Sequence, residues 1–138
     1  MKKDRWLFYT VGVSALPILI RLVVFLLISE RDWNELFSAI DFVFFGLTLN
    51  LSNINELHSL RIKKKKKEIL DEFKREKLIN WSIFAIVILG IILGFAYIPI
   101  HIFNKYTLLF SAIFLAIVSF FHSKNIINKI NSLENESN

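Results

Sequence analysis

Four long apolar blocks, each near the length of a bilayer-crossing helix, divide this chain of 138 residues. A hydrocarbon core needs about 20 apolar helical residues, with a range of about 17–25. The blocks run from Trp6 to Ile28, from Trp33 to about Ile54, from Trp81 to Ile100 and from Tyr106 to about Phe121. The last is short and borrows His122 and Ser123 at its edge. Apolar residues make up 54% of the chain, against about 45–50% in a typical soluble domain. A soluble bundle helix needs a polar face, and the third block has none. The expected fold is therefore an all-α integral membrane protein, a single domain over 1–138. Its spans fall at about 6–28, 33–54, 81–100 and 106–122.

Lys and Arg placement predicts the topology, because cytoplasmic loops carry an excess of both. Fourteen of them fall in the N-terminal tail, the segment between the second and third blocks, and the C-terminal tail; only Arg31 and Lys105 lie in the other two loops. Four spans put those three basic regions on one side, which makes both termini cytoplasmic. The outer loops are short, so the first two and last two helices are expected as tight antiparallel hairpins. Trp6, Trp33, Trp81 and Tyr106 sit at block ends, where interfacial aromatics belong. The start MKKDR followed by an apolar run resembles a signal peptide. The run is too long, and Glu30, Arg31 and Asp32 follow it instead of a small-residue cleavage site, so an uncleaved first helix is expected.

Arg21 and Asp41 interrupt the first two blocks. A charge at membrane depth costs roughly 2.5–3.5 kcal/mol on insertion scales and marks a functional candidate. Arg21 lies eight residues before Ser29 and Asp41 eight after Trp33, so both are about 12 Å below the outer face at 1.5 Å per residue. They can face each other across the tight loop, either fixing hairpin registry or opening onto a water-filled path. A second pattern runs along the second block. Asn34, Ser38, Asp41, Phe45, Thr48, Ser52, Asn55 and Ser59 step alternately by four and three, a stripe along one helical face, and seven of the eight are polar. Asn50 and Asn53 add polarity nearby. Such a stripe suits a pore wall, with Phe45 as a hydrophobic constriction, and equally suits hydrogen bonding inside one bundle.

Gly90 and Gly94 form Gly-x-x-x-Gly in the third block, and Ala112 and Ala116 a small-residue pair in the fourth. Both permit close helix approach, within or between subunits. Pro17 removes a backbone donor in the first helix and is expected to kink it near Arg21. Residues 55–78 have no Gly or Pro and are rich in Lys, Glu, Leu and Arg, so a cytoplasmic helical segment is expected. Its run Lys63, Lys64, Lys65, Lys66 and Lys67 reads as a topology signal that attracts anionic lipid. The other reading is recognition of a cytoplasmic partner protein or an anionic nucleotide signal. Base-stacking aromatics are not interleaved with it, so specific nucleic-acid binding is not expected. Residues 124–138 begin amphipathic and are expected to form a flexible tail.

The chain has no Cys, and His58, His101 and His122 are far apart without metal-ligand spacing. Phosphate-binding glycine loops and the nucleophile-elbow pattern are missing from it. No enzyme activity, cofactor or metal is expected. Two functions stay open. One is a homo-oligomeric channel or pore of three or more subunits, since four helices are too few to enclose a water path. The other is a membrane anchor or regulatory subunit that docks a partner through its Lys-rich segment. The layout of four spans, short outer loops and a basic middle segment resembles the small four-helix membrane effectors of bacterial anti-phage defence systems. That resemblance implies a bacterial inner-membrane protein that permeabilises the membrane when a partner or nucleotide signal gates it.

Overall fold

The computed structural model describes residues 5–29, 36–63, 69–98 and 104–135, and in these the chain is all-helical. A π-helical turn at Leu7–Val11 leads without a break into α1 (Gly12–Leu27). Then follow α2 (Ala39–Lys63), α3 (Ile69–Ala96) and α4 (Lys105–Asn135). Three helical stretches, Phe8–Leu27, Glu72–Ala96 and Lys105–Ser132, are long and apolar enough to cross a membrane. That is what a multi-pass membrane protein requires. The apolar run of α2 is diluted by Asp41, Asn50, Asn53 and Asn55, and α2 falls outside that group.

α2 is the centre of the bundle. It packs extensively against α3 and α4 and less against α1, and α1 has no comparable contact with α3 or α4. Arg21 meets Asp41 and Thr10 meets Ser52, so α1 and α2 run in opposite directions. Asn50 meets Ser119, and Leu57 shares an apolar cluster with Ile126, so α2 and α4 run the same way. One apolar cluster joins Val43, Leu89, Ile92 and Ala112. A second joins Leu49, Leu57, Ile126, Ile127 and Ile130, with Trp6 inserted from the start of the chain.

Local chemistry sets the helix ends. α2 begins at Ala39, six residues later than the apolar block, because Ser38 caps it: the Ser38 hydroxyl accepts from the Ile40 N–H at 3.3 Å. Asp41 therefore lies in the first turn, where the helix dipole favours a carboxylate, and not eight residues into a helix. Asn104 caps α4 in the same way, its Oδ1 accepting from the Tyr106 N–H at 2.9 Å. α3 tightens at its end, with Tyr97 and Ile98 donating to the carbonyls of Gly94 and Phe95, and Pro99 follows in the sequence. α1 stays helical through Pro17. The segment expected as a flexible tail is instead helical to Asn135, because Ile126, Ile127 and Ile130 all point into the second cluster.

Polarity is inverted relative to a soluble bundle. Asp41, Asn50, Asn53, Ser82, Ser119 and Ser123 are buried. Outside stand Phe8, Leu19, Val23, Phe84, Val87, Phe110, Phe114 and many other large apolar side chains. In water such a surface would drive association; in lipid it is the solvated face.

Candidate functional site: a polar spine on the central helix

The sequence places both polar patterns on α2, and packing divides them between two faces. Toward α1 lies the expected stripe. Arg21 Nε donates to Asp41 Oδ2, and Nη2 lies 3.5 Å from Oδ1, so the guanidinium approaches the carboxylate with both arms. The Asp41 side chain is 11% exposed and that of Arg21 38%, so the carboxylate is the more enclosed partner. Further along, Thr10 Oγ1 and Ser52 Oγ lie 3.4 Å apart. Between them Phe45 packs against the Trp6 cluster, and the Thr48 hydroxyl donates back to the Phe44 carbonyl at 2.9 Å. Asn55 and Ser59 are exposed. Among the described residues, α1 and the turn before it cover the stripe from Asp41 to Ser52 through the Arg21–Asp41 and Thr10–Ser52 contacts.

The opposite face of α2 was less legible. Gly46 lets α3 and α4 close in: a methyl group there would sit 2.9 Å from Leu89 Cδ1 and 3.5 Å from Ser119 Oγ. One turn on, Asn50 Nδ2 donates to the Gly46 carbonyl and to Ser119 Oγ, both at 2.8 Å. Asn53 follows, fully enclosed. On the facing helices Ser82 Oγ and His122 Nε2 lie 3.4 Å apart. Polarity marks Asn50 and Asn53 in the sequence. The parts played by Gly46, Ser82 and Ser123 depend on which helix faces which, and no local pattern carries that.

The small-residue pairs separate cleanly. Ala112 and Ala116 are buried within the bundle. Gly90 and Gly94 face outward, with open space where a side chain would be. Lys64, Lys65, Lys66 and Lys67 lie outside the described residues, and Lys63 is described only as the last residue of α2. The first half of α3 carries an open groove of about 460 Å³ lined by Phe73, Glu76, Lys77, Asn80, Trp81 and Phe84. Its mix of exposed aromatics and charges suits a membrane–water boundary.

Comparison with protein-family models, curated proteins and solved structures finds no match to this chain.

Proposed function

We propose that the chain is one subunit of a homo-oligomeric membrane channel, closed while α1 covers the polar stripe of α2 and open when α1 moves away. The observation that carries this reading is the clasp. α1 packs on α2 without comparable support from α3 or α4, and its polar contacts to α2 are the Arg21–Asp41 pair and the Thr10–Ser52 contact. A peripheral helix anchored by Trp6 at its start and held further along by polar contacts has two resting places, on or off its partner, and uncovering the stripe would turn Asp41, Thr48 and Ser52 toward a lumen. Pro17, which cannot donate to the Val13 carbonyl, lies between the two contacts and weakens the helix there. Outward-facing Gly90 and Gly94 would let α3 of a second copy approach closely.

In this reading all four helices span, as two antiparallel hairpins with both termini cytoplasmic. The partners are the bilayer and at least two further copies of the chain. The proposal takes the host membrane as a bacterial inner membrane and the outcome as its permeabilisation on a signal, and the layout's resemblance to anti-phage effectors is what supports this part of it. The test is reconstitution in nanodiscs and liposomes. Native mass spectrometry is expected to give three or more subunits, and Asp41→Asn, which weakens the clasp, to raise dye or ion leak several-fold over wild type. A monomer or dimer with unchanged leak overturns the reading. Loss of function on neutralising the Lys63–Lys67 run alone would favour the anchoring alternative.

A further inference from the structure

The face of α2 turned toward α4 holds polar atoms that the protein itself leaves without hydrogen bonds. Both hydrogens of the Asn50 amide are engaged, by the Gly46 carbonyl and by Ser119 Oγ. Reversing that amide would press its oxygen against the Gly46 carbonyl, so its orientation is set. Asn50 Oδ1 is then a buried acceptor with no partner among the described residues. Asn53 is 1% exposed, and neither its Oδ1 nor its Nδ2 has a partner. Ser123 is fully buried, and its hydroxyl has none either.

These atoms belong to one place. α2 and α4 run parallel, with Asn50 level with Ser119. Asn53 is three residues beyond Asn50 and Ser123 four beyond Ser119, so both fall one turn further along the same seam. His122 and Ser82 contact each other at this level. Leu49, Leu57 and Ile126 close the seam with apolar side chains.

The chemistry selects the occupant. Two amide oxygens need donors, one amide NH₂ needs acceptors, and a hydroxyl serves as either. A cation would satisfy the oxygens and leave Asn53 Nδ2 unmet; an anion would do the reverse. Water meets all of them, and buried polar groups left unmatched by protein are ordinarily met by ordered water making two to four hydrogen bonds. We propose that the seam between α2 and α4 is a water-binding chamber inside each subunit, centred on Asn53 and bounded by Asn50, Ser119, His122 and Ser123. It stands apart from the α1 clasp and from the channel reading, since it needs neither a second copy nor movement of α1.

The test is solid-state NMR on the full chain in lipid bilayers with ¹⁵N-labelled Asn and Leu, following magnetisation transfer from water. The Asn53 side-chain signal is assigned by its loss in Asn53→Gln, which retains an amide. Transfer to the Asn53 amide is expected to match that to exposed Asn104 and to run several-fold faster than to the Leu49 backbone amide. Transfer to Asn53 as slow as to Leu49 means a dry seam and overturns the proposal. Equally fast transfer to both means an open cleft and overturns it too. The transfer rates are read on the wild-type protein, and backbone-to-side-chain correlation assigns the Asn53 signal should the variant misfold.

Discussion

Arg21 and Asp41 are each expensive in hydrocarbon and much less so together. Removing one should therefore cost more than removing both. Asp41→Ala is expected to lower stability by up to about 3–5 kcal/mol, and less to the extent that Arg21, 38% exposed, turns outward to the interface. Arg21→Met combined with Asp41→Leu is expected to recover most of it. Thermal unfolding in detergent of Arg21→Met, Asp41→Leu and the double variant gives the coupling, and additive losses would mean the pair contributes nothing. Glycine offers a second comparison. Ala is favoured over Gly inside a helix by about 1 kcal/mol. At outward-facing Gly90 nothing opposes that gain, so Gly90→Ala is expected to be neutral or stabilising for the isolated subunit. At Gly46 the new methyl meets fully buried Leu89, and overpacking of about 1–3 kcal/mol should make Gly46→Ala the less stable of the two by that margin. Equal melting temperatures would count against the close approach of α3 to Gly46.

Among the elements, α4 departs furthest from its appearance in the sequence. Polar Asn and Ser residues after Phe121 suggest a frayed end, yet Ile126, Ile127 and Ile130 share an apolar cluster with Leu57 and Trp6. Ile130→Ala is accordingly expected to cost about 2–5 kcal/mol, read as a lower melting temperature by circular dichroism. A change near zero would place Ile130 outside the core. The reason this was hidden is physical. Three isoleucines in a polar context are too few to signal a buried face, and their burial depends on α2 continuing past the apolar block to Leu57 to meet them. Existence of the helices was legible because apolar length alone forces them. Charge made Arg21 and Asp41 legible, and alternate steps of four and three made the stripe legible. The start of α2 was not, since Trp33 continues the apolar pattern while capping by Ser38 decides where helical hydrogen bonding begins. The division of α2 into a clasped face and a seam face depends on the parallel register with α4, a relation between distant residues.

For the whole molecule, the count of spans decides the arrangement. Among the described residues three helices qualify by apolar length; in the proposed arrangement α2 is a fourth, and the burial of Asp41, Asn50 and Asn53 is what would let it sit in lipid. An even count puts the termini on one side of the bilayer and an odd count on opposite sides. The chain contains no Cys, so a single introduced thiol reports its own position. Arg5→Cys and Ser132→Cys, both at exposed residues, are expected to react with a membrane-impermeant maleimide from the same side of sealed vesicles. Labelling from opposite sides would reduce the spans to an odd number and remove the paired-hairpin arrangement. The spacing of the ion pair also bears on how the protein is made. Arg21 and Asp41 are twenty residues apart, so at the moment Arg21 reaches the bilayer its neutralising carboxylate is one helix behind it in synthesis. Released alone into lipid, α1 would bear the insertion cost of an unpaired guanidinium, less what turning it outward to the interface recovers. If α2 spans as proposed, biogenesis favours holding α1 at the insertion machinery until α2 has emerged and delivering the two together, with the salt bridge already closed.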